Sequence, residues 1–143
     1  MIRRREDLER ICRGIVREAK QGEGIDPSCD SVVREMALTL DHIQRLRQRN
    51  HQAQTIFVQR ECELSSEIMG LHPNVHYANP ADWLERKKMV FGLMATLARV
   101  ENRRAQADTD HEKQMMVLHN RLLELLNAHA QLRQYNGNSE DTP

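Results

Sequence analysis

Residues 101–112, Glu101-Asn102-Arg103-Arg104-Ala105-Gln106-Ala107-Asp108-Thr109-Asp110-His111-Glu112, decide how this chain folds. On one reading they are the polar middle of an unbroken helix. On the other, Thr109-Asp110-His111-Glu112 is a capping box, in which the threonine hydroxyl and a glutamate three residues on satisfy each other's helix-end amides, and a new helix begins there. Upstream, Asn79-Pro80 reads as an N-cap followed by a first helical residue that needs no amide partner. From Val90 a 3-4 spacing continues through Met94, Leu97, Glu101, Arg104, Asp108, His111, Met115, Leu118, Leu122, Leu125, His129 and Leu132. Between Gly92 and Gly137 no proline or glycine interrupts it, which is the pattern of a coiled-coil seam with a polar middle.

The preceding segment supplies a partner for that helix. Val32, Val33, Met36, Leu40, Ile43 and Leu46 make an apolar face, Arg47 to Gln52 is uniformly polar, and apolar residues resume at Ala53, Ile56, Phe57, Val58, Leu64 and Ile68. Gly70 fits the left-handed position past a helix end. Pairing residues equidistant from residue 75 sets Arg47 to Gln54 opposite Thr96 to Arg103, so the two polar middles meet. The expectation is therefore an all-α chain: a long antiparallel helical hairpin or coiled coil with a short N-terminal amphipathic helix. A compact four-helix bundle with a break near Thr109 is the alternative. Helices are expected at about 3–20, 29–69 and 80–135 in one domain spanning 1–136, the last continuous in the hairpin and broken near 107–109 in the bundle, with a disordered tail at 137–143.

The N-terminal helix has Leu8, Ile11, Cys12, Ile15, Val16 and Ala19 on one stripe and Arg3, Arg10, Arg13, Arg17 and Lys20 around the rest. Glu6 with Arg10 and Glu9 with Arg13 stand four apart with the acid first, the pairing of a wet outer surface. Gln21-Gly22-Glu23-Gly24 ends it.

Composition favours helical surface over a wide core, since 39% of residues are hydrophobic, 3% aromatic and 29% charged. Twenty-one basic and twenty-one acidic residues cancel, leaving no global field for a nucleic acid or an anionic bilayer. The three cysteines, Cys12, Cys29 and Cys62, are an odd number, and Met1-Ile2-Arg3-Arg4-Arg5-Glu6 has no apolar leader, which points to free thiols in a reducing, cytoplasmic setting. The longest mostly apolar run, Met89 to Ala98, is half a membrane span.

Motifs of catalysis are missing from the sequence. His72 and His76 are separated by Pro73 and lack a second pair of metal ligands, and Asp108 with His111 has no repeat elsewhere to make a di-metal site. No nucleophile elbow, phosphate-binding glycine loop or dinucleotide fingerprint occurs. The sequence reading is a protein that is not an enzyme and takes no cofactor or metal.

Two binding functions follow from the surface residues. On the hairpin arrangement the leucines Leu118, Leu122, Leu125, Leu126 and Leu132 are only partly covered, so a second copy is expected to bury them and make a homodimer. Leu71, Val75, Tyr77 and Trp83 near the turn would anchor another protein, giving an adaptor or regulator. The alternative is a nucleic-acid-binding regulator that uses the basic N-terminal helix, Arg3, Arg4, Arg5, Arg10 and Arg13.

Overall fold

The computed structural model describes residues 4–22, 29–71 and 80–140, and the side chains as far as Tyr135. The described residues form three helices, α1 (Arg5–Lys20), α2 (Asp30–Leu71) and α3 (Pro80–Glu140). Glu6 and Asp7 in the first turn of α1 and Arg17 and Lys20 in the last complement its dipole. The chain leaves α1 through Gly22, whose φ of +74° is a conformation that favours glycine. There the amides of Gln21 and Gly22 donate to the carbonyls of Arg17 and Ala19. Gly70 has no such role, because α2 runs through it to Leu71. No helix among the described residues is long and apolar enough to cross a membrane.

Residues group into two units. Unit 1 comprises Met1–Arg47 with Glu112–Pro143, and unit 2 comprises Gln48–His111. Unit 1 is a three-helix bundle. Its core joins Leu8 and Cys12 of α1, Met36, Leu40 and Ile43 of α2, and Met115, Leu122 and Leu125 of α3. Ile15, Val16, Val32, Leu46, Leu118 and Leu126 pack around them. Each such side chain withdrawn from water contributes about 2 kcal/mol.

This overturns both architectures expected from the pattern. The hairpin or coiled-coil reading treats α1 as an appendage, whereas α1 sets Leu8 and Cys12 into the core of unit 1. Arg47 is not matched to the polar middle of α3 but to Glu9 of α1. The four-helix alternative fails because α3 is continuous through Thr109, whose hydroxyl donates to the carbonyl of Ala105 four residues back rather than capping a new helix. Unbroken helix formers on both sides hold that stretch helical, and the capping box goes unused.

Unit 2 contains the second half of α2 and the first half of α3. Leu64 is its one fully buried hydrophobic residue among those described. Beside the half-buried Phe57, Ile68, Val90, Leu93 and Leu97 it holds a polar contact. Arg104 donates from Nε to Gln54 Oε1 and from Nη1 to Glu61 Oε2, both at 2.9 Å.

Candidate nucleic-acid interface

The basic helix is fixed in place by a buried charge. Glu9 follows Leu8 at the edge of the apolar stripe, and packing of α1 leaves its side chain only 2% exposed. Arg47 of α2 donates from Nη1 and Nη2 to its two carboxylate oxygens, Arg13 donates to Oε1 at 3.3 Å, and His119 of α3 donates from Nε2 to Oε2 at 2.9 Å. The other ring nitrogen of His119 lies 2.7 Å from the carbonyl oxygen of Met115. The Glu9 carboxylate and the Met115 carbonyl both only accept, so each ring nitrogen of His119 faces an acceptor. Burial pushes the Glu9 carboxyl up, but the hydrogen bonds from Arg47 and His119 and their charges outweigh it, holding the group below its ordinary 4.5. Its neighbour Cys12 is pushed up to about 11 by burial and then by the Glu9 charge, so it stays a thiol.

A second buried histidine lies further along α3. Burial, and after it the charge of Arg133, holds His129 below 6.5, with Glu18 of α1 opposing them.

The sequence pattern treats Glu9 and Arg13 as an exposed pair; the pair forms, but with the Glu9 side chain buried and only Arg13 open to solvent. The missed signal is the position of Glu9, one residue from Leu8 and three from Cys12, together with His119 between the core leucines of α3. Arg10 bonds Asp7 at 3.1 Å in place of Glu6.

With α1 held this way, Arg10, Arg13, Arg17 and Lys20, spaced three, four and three residues apart, share its outward side. Asp7 and Glu18 fall on the other flank, and Glu6 lies at the N-terminal end of the basic row. Arg17 and Lys20 are exposed, and their side chains make no ion pair or hydrogen bond among the described residues. Together with Arg13, Val16, Ala37 and Leu40 they line a groove of about 340 Å³ between α1 and α2. A smaller groove of about 220 Å³ lies at the start of α1, where Arg4 and Arg5 stand over Leu8, Met116 and Leu123. Arg5 also donates to Glu112 of α3 at 2.9 Å. Arg3 lies outside the described residues. The basic residues named from sequence thus come together only in part; Arg17, which the same basic pattern offers as a phosphate contact, joins the row, and Lys20, which completes it, is the one that pattern leaves out.

The interaction residues expected from sequence are dispersed. Leu122 and Leu125 are buried, and Leu118, Leu126 and Leu132 half-buried, in unit 1 itself. The dimer seam drawn on them is therefore corrected: α1 covers the surface that a second copy was invoked to cover. Leu71 is half-buried and Trp83 exposed, while Val75 and Tyr77 lie outside the described residues, as do His72 and His76. No group of three or more His, Cys, Asp or Glu residues among those described is placed to hold a metal ion. No family model, no curated protein and no solved structure matches this chain.

Proposed function

We propose that this protein is a non-catalytic helical module that binds the phosphate backbone of nucleic acid through the outward side of α1. The observation that carries the reading is the row of Arg10, Arg13, Arg17 and Lys20 beside an open groove, with the side chains of its last two members free of protein partners among the described residues. Ten residues of helix span about 15 Å, enough to follow two or three successive phosphates. A chain of zero net charge has little long-range attraction for DNA, so affinity rests on this local row. We set the activity in the cytoplasm, because Cys12, Cys29 and Cys62 are all unpaired, which suits a reducing compartment.

The test is fluorescence anisotropy with labelled duplex and single-stranded oligonucleotides across a salt series. Binding is expected to weaken steeply with salt, and Arg17→Ala with Lys20→Ala to lower the log–log slope by about two, since each phosphate contact contributes about 0.9. Absence of a complex at low salt, or a slope unchanged in the double variant, removes the proposal.

A further inference from the structure

Unit 2 leaves several large apolar side chains uncovered. On α3, Trp83 is 40% exposed, Leu84 49%, Phe91 59% and Met94 50%. These four fall on one side of the helix across three turns, by the 3.6-residue period. Lys87 lies among them, its Nζ 4.8 Å from the centre of the Trp83 ring and 5.9 Å from that of Phe91. Lys88 sits four residues after Leu84 and three before Phe91, on the border of the same side. The acids of this stretch, Asp82 and Glu85, fall on the opposite flank with Met89. The side is therefore aromatic and aliphatic, and its charges are positive.

In unit 1 the chain shows what such a surface takes. There the two long helices are covered by the amphipathic α1, which sets Leu8 and Cys12 into the core and sends the Glu9 carboxylate onto Arg47. Unit 2 has the same two helices, one fully buried hydrophobic residue and no third helix among the described residues. We propose that the Trp83, Leu84, Phe91 and Met94 side of α3 docks an amphipathic helix of another protein, whose apolar stripe covers these side chains and whose carboxylates face Lys87 and Lys88. The charges select the partner: a lysine-rich helix of equal apolarity would meet like charge at the centre of the contact. This inference goes beyond the nucleic-acid reading and uses none of its residues.

Trp83 is the sole tryptophan, so its emission reports on the surface directly. The probes are two tryptophan-free peptides of about four helical turns. Both carry leucines on one side; one has glutamates on the other, and the second has lysines there. The acidic peptide is expected to shift Trp83 emission to the blue and to saturate, with the lysine peptide weaker by about tenfold or more. Lys87→Glu with Lys88→Glu should invert that preference. Phe91→Ser with Met94→Ser should weaken the acidic peptide by about tenfold, with helicity checked by circular dichroism. Four results overturn the proposal: no shift with either peptide, equal response to both, a shift that follows protein concentration alone with dimers in sedimentation, or a shift with phosphatidylglycerol vesicles but not with peptide.

Discussion

Glu9 has a hydrogen-bonding partner on each helix of unit 1: Arg13 on α1, Arg47 on α2 and His119 on α3. Removing the charge from so buried a group strands its partners, and Glu9→Gln is expected to cost about 3 kcal/mol near pH 7 in urea unfolding. The pH dependence follows from the lowered carboxyl. The folded state releases this proton more readily than the unfolded chain, whose carboxyl titrates near 4.5, so the stabilisation is full above that pH and is lost as pH falls through the folded value. The Gln variant should lack that part of the acid slope, which unfolding titrations at pH 3 to 6 would register. The thiols give a second residue-scale expectation. Cys12 and Cys29 are buried and Cys62 is exposed, so an aromatic disulfide reagent should titrate one thiol promptly in the native protein and all three in denaturant.

Among the elements, helix positions were legible because apolar spacing and punctuation agree: Pro80 starts α3 and Gly22 closes α1. The continuity of α3 through Thr109 was not legible. A capping box is a local signal, and it loses where the residues before it also prefer helix and nothing pulls the backbone away. The contact of Arg104 with Gln54 and Glu61 was anticipated only as polar matching polar, with different partners. It leaves Gln54 Nε2 and Glu61 Oε1 buried without a hydrogen-bond partner among the described residues. Arg104→Met alone should lower stability by about 1–3 kcal/mol, since Glu61 loses its counter-charge. Combining it with Gln54→Leu and Glu61→Met should recover that loss and exceed the parent, because apolar packing replaces an incompletely satisfied layer. Thermal unfolding of the two variants against the parent decides it.

At the scale of the whole molecule, the sequence announced three helices but not which surfaces would meet. Leu122 and Leu125 look the same in a one-dimensional pattern whether α1 or a second copy covers them. What tips the balance is Glu9 turning inward onto Arg47 and His119, a three-helix contact that no spacing rule encodes. The candidate interface was half legible for a related reason: α1's arginines are plain in sequence, but which of them stay free depends on partners found far along the chain. The burial pattern also sets an order of opening. Unit 1 owns nearly all of the buried hydrophobic residues described and unit 2 only Leu64. Amide hydrogen exchange should be slowest over the α3 segment 115–129 and faster over 86–107 of the same helix. Equal protection along α3 would contradict that order.

The attachment of α1 has one more consequence. Its side chains meet the other two helices through a closed set of apolar and charged contacts. A chain severed between Gly22 and Cys29 should accordingly yield two pieces that recombine without a covalent link, the short one titrating the long one back to full helicity.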